Sequence, residues 1–359
     1  LALGLVLAAL CGALVQKRLW LASRILGAPS PVELLGRYYS STGLRVLLLI
    51  LVVLFALPVA ASAAARWTFT RSHIAATPAA EAAPSASTLR DLAYGPDPHQ
   101  RVDVYLPSNP VHAPTLVYVH GGGWQGGDKA SPAGIDAKRR RWNARGAIVV
   151  SVDYRRVPAI DPVEQARDVG RALAWAQARV AQAGGDPDDF VLIGHSAGAH
   201  LVALLAAAPE LQRETGARPW RATVLLDSAA VDVVATMQAP PDRPMFAQAF
   251  GNDPAFWQAA SPRHRLKAPT APILAVCAET RPDACPRNRD FLARAADFGT
   301  RTRLLPVALD HGAINRRLGE DNAYTRTVEA FLRDAGVRLD RDDAAGETQP
   351  APPGIAARP

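Results

Sequence analysis

The chain is predicted to form an α/β domain built on a mostly parallel β-sheet, with helices on both faces. Between residues 88 and 339, short apolar runs alternate with longer amphipathic stretches, which is the pattern of strands separated by helices. The runs are nearly continuous in Val, Ile and Leu, as expected for strands that are buried on both faces. In such a sheet the functional groups gather at the carboxyl ends of the strands, so the residues after each strand matter most.

The hydrophobic runs predict eight strands, and the amphipathic stretches predict five helices. The predicted strands are Leu89–Tyr94 (an edge strand), Arg101–Leu106, Thr115–Val119, Ala147–Val152, Phe190–Ile193, Thr223–Leu226, Ile273–Val276 and Thr302–Val307. The predicted helices are Ala133–Arg145, Pro162–Ala183, Ala197–Ala208, Asn288–Phe298 and Asn322–Asp334.

The composition limits the class of protein. The 359 residues are 49% hydrophobic, which is enough for one domain of about 250 residues with a large core. The formal net charge is +7, but the basic residues form no stripe interleaved with aromatic residues, so no nucleic-acid partner is expected. The three cysteines, Cys11, Cys277 and Cys285, have neither the number for a disulfide framework nor the spacing of a metal finger. We expect no metal and no cofactor.

Two apolar segments precede the domain, at residues 1–15 and 44–65. The second carries no charge from Val46 to Ala61 and predicts a membrane-spanning helix, whereas the first is short for a span. Basic residues lie between the two segments, which predicts a cytoplasmic loop there and an extracytoplasmic domain after the second segment. An alternative is a signal sequence that is cleaved near Ala61-Ser62-Ala63. We favour an uncleaved membrane anchor over residues 1–65.

The segments that flank the domain differ from it in composition. Residues 66–87 are predicted to be a linker, because the stretch from Ala75 to Ser87 is rich in Ala, Pro and Ser. Residues 340–359 carry charges, Pro and Gly with no periodicity and are predicted to be a disordered tail. The catalytic domain is therefore expected to span residues 88–339.

The five residues from Gly194 to Gly198 read Gly-His-Ser-Ala-Gly. They follow a predicted strand and precede a predicted helix, which is the context of a nucleophile elbow. The two glycines leave room for the sharp turn on which such a serine lies. Ser196 is therefore the candidate nucleophile.

Three consecutive glycines occur in the stretch His120-Gly121-Gly122-Gly123-Trp124, directly after a predicted strand. Glycines are costly in conformational entropy unless the backbone itself has a role. Backbone N–H groups that point at a developing oxyanion would supply that role. A phosphate-binding loop would require G-x-x-x-x-G-K-[ST], which this stretch lacks.

A serine hydroxyl is a poor nucleophile until a base takes its proton. Of the eight histidines, His311 follows the last predicted strand and comes after the serine, as the chain order nucleophile, acid, base requires. The histidine in turn needs a carboxylate, and two acidic residues, Glu279 and Asp283, follow the strand before it. Cys277 and Cys285 bracket these acids, and outside the cytoplasm we expect them to form a disulfide.

With these motifs, the chain resembles the α/β-hydrolase superfamily. Within it, the chain is similar to carboxylesterases related to hormone-sensitive lipase, to BD-FAE and to kynurenine-formamidase-like enzymes. The resemblance covers roughly residues 93–337, including Val152-Asp153-Tyr154-Arg155 and Ala260-Ser261-Pro262. The elbow sequence Gly-His-Ser-Ala-Gly-Ala differs from the Gly-Asp-Ser-Ala-Gly-Gly of the hormone-sensitive-lipase branch. The similarity is therefore greater to the BD-FAE and formamidase-like side.

The resemblance implies a role for each residue that matches a family motif. Ser196 would be the nucleophile and His311 the base. The backbone N–H groups of Gly122, Gly123 and Ala197 would form the oxyanion hole. The family fold is an eight-stranded, mostly parallel sheet, here preceded by one or two membrane helices.

The resemblance also favours Asp283 over Glu279 as the acid. The stretch Asp283-Ala284-Cys285-Pro286 fits the Asp-x-x-Pro pattern that follows the seventh strand in the family. The glycine that usually precedes this aspartate is missing, and the loop is longer than usual.

The function that the resemblance implies is hydrolysis of a small-molecule carboxylic ester through an acyl-enzyme. Two alternatives remain: an amide or formamide hydrolase with the same triad, and a non-catalytic interaction domain on the esterase fold. The segment from Met237 to Pro262 is expected to contact the substrate, either as a lid or as an ordinary connection.

Overall fold

The computed structural model of the chain describes residues 87–239 and 244–339. The strands in these residues are β1 (Ser87–Ala93), β2 (Arg101–Leu106), β3 (Ala113–Val119), β4 (Ile148–Val152), β5 (Gly185–His195), β6 (Ala222–Leu226), β7 (Ile273–Ala278) and β8 (Thr302–Val307). They form one eight-stranded sheet in the order β1-β2-β4-β3-β5-β6-β7-β8. β2 pairs antiparallel with β1 and β4, and all other neighbouring strands are parallel. The predicted mostly parallel sheet is confirmed.

The helices alternate with these strands along the chain. They are α1 (Pro132–Ala144), α2 (Pro162–Arg179), α3 (Ala197–Ala207), α4 (Pro209–Thr215), α5 (Val233–Gln238), α6 (Pro244–Phe250), α7 (Pro254–Ala259), α8 (Pro262–Arg265), α9 (Ala284–Asp297), α10 (His311–Arg317) and α11 (Ala323–Asp334). The sequence does not predict α4 to α8 or α10, because helices of four to seven residues are too short to show helical periodicity.

Most predicted elements differ in their bounds from the structure, and two of them begin four or five residues earlier than predicted. β5 begins at Gly185 rather than at Phe190, and its first residue pairs with Ala113 of β3. The apolar run covers only the buried end of this strand, so hydrophobicity alone misses its polar start. α9 begins at Ala284 rather than at Asn288, directly after the loop in which the acid is predicted.

Helices cover both faces of the sheet, as predicted. One apolar cluster joins the sheet to α2, α3 and α9, through residues such as Leu173, Leu204 and Phe291. The second cluster joins the opposite face to α1, α10 and α11, through Trp142, Ile314 and Phe331. Burial of both faces explains why the central strands are apolar at nearly every position.

Most of the regions predicted outside the domain also lie outside the described residues. They are the apolar segments at 1–15 and 44–65, the linker up to residue 86 and the tail at 340–359. Ser87, the last residue of the predicted linker, already belongs to β1. Within 87–239 and 244–339, every helix is either too short or too polar to cross a bilayer. The membrane anchor therefore stays a prediction.

Candidate active site

Ser196 lies on the sharp turn between β5 and α3, where the sequence predicts it. Its backbone has φ 54° and ψ −117°, a conformation that non-glycine residues rarely adopt. The N–H of Ser196 donates to the carbonyl of Leu226 at 2.9 Å, which ties the turn to the end of β6. A residue that is held in such a conformation by its surroundings is typical of functional sites.

The two glycines of the elbow are required for steric reasons. A Cβ atom on Gly194 would collide with the backbone of Gly198, and one on Gly198 would collide with the carbonyl groups of Val119 and His120. β5, α3 and the end of β3 therefore pack backbone against backbone at this point. The positive φ at the elbow belongs to Ser196 itself and to neither glycine.

His311 is the first residue of α10, at the same end of the sheet as Ser196. The preceding residue, Asp310, caps this helix by accepting a hydrogen bond from the N–H of Ala313 at 2.6 Å. At the other end of α10, the buried ammonium group of Lys138 donates to the carbonyl and side-chain oxygens of Asn315 at 2.6 and 2.9 Å. Both ends of the helix that carries His311 are thus held in place.

The carboxylate that contacts His311 belongs to Asp227, the first residue after β6. Nδ1 of His311 donates to Oδ2 of Asp227 at 2.6 Å. The side chain of Asp227 is fully buried, whereas that of His311 is 40% exposed. A buried acid on Nδ1 holds the imidazole in the tautomer whose Nε2 can accept a proton.

The choice of Asp283 as the acid is therefore corrected. Asp283 directly precedes α9, and its carboxylate faces Arg287 at 3.4 Å and Arg281 at 3.8 Å. Glu279, the alternative, is exposed, and its backbone N–H pairs with Val307 of β8. β7 and β6 are neighbours, so their ends can supply a carboxylate from nearly the same place, and Asp227 occupies that place.

Asp227 is held as a charged carboxylate. Burial alone would raise its pKa, but hydrogen bonds from His311 and from the backbone of Ala278, with the charge of Arg281, outweigh burial and lower the pKa to about 2. The Ala278 N–H donates to Oδ1 at 3.0 Å, and Nη1 of Arg281 lies 2.7 Å from Oδ2. Asp227 therefore remains ionised throughout the physiological pH range.

His195 directly precedes Ser196 and contacts the candidate base. Its ring centre lies 4.7 Å from that of His311, and its Nε2 lies 3.0 Å from the backbone oxygen of His311. Burial, with the neighbouring His311, lowers the pKa of His195 to about 3. His195 is thus a neutral residue that donates a hydrogen bond to the His311 carbonyl.

The glycine-rich loop after β3 lies against the elbow. Gly122 and Gly123 have φ values of 130° and 61°, so the loop adopts a backbone conformation that residues other than glycine rarely adopt. Ala197 is the first residue of α3, and the first N–H groups of a helix have no partner within it. These three residues, Gly122, Gly123 and Ala197, line the same cavity as Ser196. Their placement suits the predicted oxyanion hole.

The loop is supported from behind by the residues after β4. His120 stacks on Tyr154 with ring centres 4.7 Å apart, and its Nε2 lies 2.8 Å from the carboxylate of Asp153. The hydroxyl of Tyr154 donates to the carbonyl of His120 at 2.9 Å. Arg155 forms a two-point ion pair with Asp168, with both contacts at 2.8 Å. Asp153, Tyr154 and Arg155 therefore have a structural role beside the site.

The predicted disulfide between Cys277 and Cys285 is present, with the two Cα atoms 5.2 Å apart. It joins the end of β7 to the first turn of α9 and closes the loop that contains Glu279, Arg281 and Asp283.

A cavity of about 730 Å³ opens above the elbow. The polar side chains that line it are those of His195, Ser196, Asp227, Ser228, Arg281 and His311. Much of the remaining wall is apolar: Trp124, Ala229, Ala230, Met245 and Phe246. Met245 and Phe246 belong to α6, so the segment predicted to contact the substrate does reach the cavity. The cavity can admit a small, largely apolar molecule with a reactive carbonyl.

The comparisons with known proteins agree with this geometry. The family model described as BD-FAE matches residues 102–282, about half of the chain. The chain belongs to the BD-FAE family. The matched residues include the glycine-rich loop, the elbow, Asp227 and Arg281, whereas His311 lies beyond them.

Two curated relatives are similar over part of the BD-FAE chain. It is 37% identical over 120 residues to a protein named "Probable isoprenylcysteine alpha-carbonyl methylesterase ICME" from Oryza sativa subsp. japonica, covering 33% of this chain and 28% of that protein. It is 39% identical over 132 residues to the esterase LipC from Mycobacterium tuberculosis, covering 35% of this chain and 32% of that protein. The matched region thus spans about a third of the length of these relatives.

A solved structure extends the similarity over most of the fold. Esterase B from Lactobacillus rhamnosis matches with a TM-score of 0.58 and 22% identity, covering 83% of this chain and 96% of that one. At this identity the match shows the α/β-hydrolase esterase fold and nothing finer.

Proposed function

We propose that this BD-FAE protein is a serine hydrolase that cleaves small-molecule carboxylic esters through an acyl-enzyme. The observation that carries the proposal is the meeting of four groups at one cavity: Ser196 on a strained elbow, His311, its buried partner Asp227 and the oxyanion-loop backbone. The esterase and methylesterase names of the relatives support the same class of reaction.

In the proposed reaction, His311 Nε2 takes the proton of the Ser196 hydroxyl as its oxygen attacks the ester carbonyl. The resulting imidazolium is stabilised by the negative charge of Asp227. The N–H groups of Gly122, Gly123 and Ala197 donate to the oxyanion, and each such donor contributes about 2.7–4 kcal/mol to transition-state stabilisation. His311 then returns the proton to the departing alcohol. Water, activated by the same base, releases the acid from Ser196.

The test compares the wild-type domain with Ser196→Ala on matched aryl ester, anilide and formamide substrates. We expect ester cleavage by the wild type and loss of at least about a thousandfold in the variant, because the nucleophile is removed. Preference for the anilide or the formamide would replace the ester assignment with an amide hydrolase. A folded wild-type protein that cleaves none of the three would favour a non-catalytic domain.

We also propose that the domain acts outside the cytoplasm and is held at a membrane by residues 1–65. The basic residues between the two apolar segments support this orientation, and so does the Cys277–Cys285 disulfide, which is typical of oxidising compartments. The predicted side is periplasmic or extracellular, so protease digestion of spheroplasts that express the full chain tests it. Cleavage of the domain without cell lysis is expected, and protection until lysis would contradict the proposal.

A further inference from the structure

The carboxylate of Asp227 is held by a single loop in addition to His311. Its Oδ1 accepts the N–H of Ala278 at 3.0 Å, and its Oδ2 lies 2.7 Å from Nη1 of Arg281. Ala278 and Arg281 both lie within the loop that the Cys277–Cys285 disulfide closes. The acid of the candidate triad follows β6, but two of the groups that bind its carboxylate come from the loop after β7.

Arg281 contacts both members of the acid–base pair. The same Nη1 atom lies 3.1 Å from the backbone oxygen of Asp227 and 3.0 Å from Nδ1 of His311. Two contacts with one residue fix the position of Asp227 better than one contact would. The Arg281 side chain is 28% exposed and lines the cavity, so it is partly shielded from solvent screening.

The disulfide closes the loop at both of its ends. Cys277 is fully buried in β7, next to Ala278, and Cys285 lies in the first turn of α9 with partial exposure. Arg281 is midway between them, four residues from each. A closed loop has fewer conformations than an open one, so the bond favours the conformation in which Arg281 reaches Asp227.

We propose that Arg281 is a positioning residue that holds Asp227 against His311, and that the Cys277–Cys285 bond keeps Arg281 in that place. The oxidised protein is then the active form. A dithiol reductant would transfer two electrons and two protons to the disulfide, yielding two protein thiols and a cyclic disulfide of the reductant. The loop would open, and Asp227 would lose the orientation that His311 requires. This inference rests on the proposed hydrolase function.

The charge of Arg281 gives the role a specific signature. The titratable groups that face His311 are Asp227 from β6, Arg281 from the closed loop, His195 from β5 and Asp310 from its own helix cap. Arg281 is the cation among these groups, and its charge lies directly beside the carboxylate of Asp227. A lysine at this position keeps the charge but loses the guanidinium geometry, so it separates positioning of Asp227 from a general loss of packing.

The first experiment measures kcat for Arg281→Met, Arg281→Lys and the control Arg289→Met, whose arginine is exposed on α9. We expect kcat to fall about tenfold to a hundredfold in Arg281→Met, because Asp227 loses its orientation. Arg281→Lys should recover part of the lost kcat, because it keeps the charge beside Asp227. Arg289→Met should match the wild type.

The second experiment is a double-mutant cycle between Cys285→Ser and Arg281→Met. Cys285→Ser, which opens the loop, should lower kcat in the wild-type background. In the Arg281→Met background, the same substitution should lower kcat further by less than about twofold. Treatment of the wild type with dithiothreitol should reproduce the loss, and reoxidation should restore the activity. Far-UV circular dichroism identifies any variant that fails to fold. If Cys285→Ser does not fold, the reduced wild type, in which the loop is also open, replaces it in the comparison of kcat.

The outcomes separate this inference from the proposed function. Equal kcat in Arg281→Met and the wild type, or no recovery of kcat in Arg281→Lys, would overturn the positioning role. Additive effects in the cycle, or full activity of the reduced wild type, would overturn the role of the disulfide. A wild type that does not cleave esters would overturn the proposed function instead. The substrate comparison with Ser196→Ala, and not the double-mutant cycle, would show that result.

Discussion

Oδ2 of Asp227 lies 2.6 Å from Nδ1 of His311, although 84 residues separate the two in the chain. Asp227 follows β6 and His311 follows β8, and β7 lies between these strands in the sheet. The parallel arrangement brings the carboxyl ends of the three strands to one edge. Asp227 is therefore the partner of the candidate base, rather than Glu279 or Asp283 in the loop that the disulfide closes.

The roles of the two aspartates can be separated by matched substitutions. Asp227→Asn should lower kcat by about 10⁴-fold, because an amide on Nδ1 no longer stabilises the imidazolium or its tautomer. Asp283→Asn should change kcat less than about threefold, because its carboxylate faces Arg287 and Arg281 rather than His311. Steady-state hydrolysis of an aryl ester measures both. Equal losses of kcat in the two variants would contradict the assignment of Asp227 alone as the acid.

The stability of the domain should fall in mild acid because of its buried histidines. His200 is fully buried, with Nδ1 accepting the Trp124 indole N–H and Nε2 donating to the carbonyl of Ala260. Burial lowers its pKa to about 4, whereas in the unfolded chain it titrates near about 6.5. Between these values the unfolded chain binds more protons, so the free energy of unfolding decreases as pH falls.

We expect His200 to account for about 2–3 kcal/mol of the decrease in the free energy of unfolding between pH 7 and pH 4.5. Urea unfolding of the wild type and of His200→Gln at both pH values measures this share, and His99→Gln, on the surface, is the control. The lowered pKa of Asp227 contributes mainly below this range, since its stabilisation is lost between about pH 4 and 2. An identical pH dependence in His200→Gln and the wild type would contradict the assignment.

The steric requirement at the elbow predicts a contrast between two glycines. Gly198→Ala places a Cβ against the carbonyls of Val119 and His120 and should abolish soluble expression or destabilise the domain by several kcal/mol. Gly126→Ala places it 3.7 Å from the nearest atom, the Gly122 oxygen, and should be tolerated. Thermal unfolding of the purified proteins compares the two, and a stable Gly198→Ala protein would mean that the elbow packs less closely than described.

The size of the acyl group that the cavity admits should depend on Met245. This residue is 43% exposed, lines the cavity and lies so close to Gly123 that a Cβ there would contact its sulfur. Met245→Ala should raise the ratio of kcat/KM for octanoyl over butyryl esters about threefold to tenfold, because space opens beside the oxyanion loop. Met237→Ala, which removes a methionine that does not line this cavity, is the matched control. An unchanged ratio would exclude Met245 from the acyl site.

The sequence predicts the parts of the site whose signals are local. Ser196, the glycines around it and the glycine-rich loop are contiguous motifs, and His311 follows from the order of the triad. The eight strands follow from apolar runs that reflect burial on both faces. The short helices lack such periodicity, and α6, which contributes Met245 and Phe246 to the cavity, is among them.

The acid was not predictable from the motif that the family resemblance supplies. Asp227 carries no surrounding pattern, and its positive φ of 55° cannot be read from the residue type. Its position directly after a buried strand was the available signal, because functional groups gather at strand ends. Asp168 is a second case: its place on α2 suggests a surface residue, yet it is buried by Arg155 and Gln100. Both carboxylates are held by partners that are distant in sequence.

The measurement that most directly tests the central claim is covalent labelling with a fluorophosphonate followed by peptide mass mapping. The adduct should form on Ser196 of the folded wild type, disappear in Ser196→Ala and form much more slowly in His311→Ala and Asp227→Asn. An adduct on another residue, or no labelling of the folded wild type, would contradict the assignment of Ser196 as a nucleophile activated by His311 and Asp227.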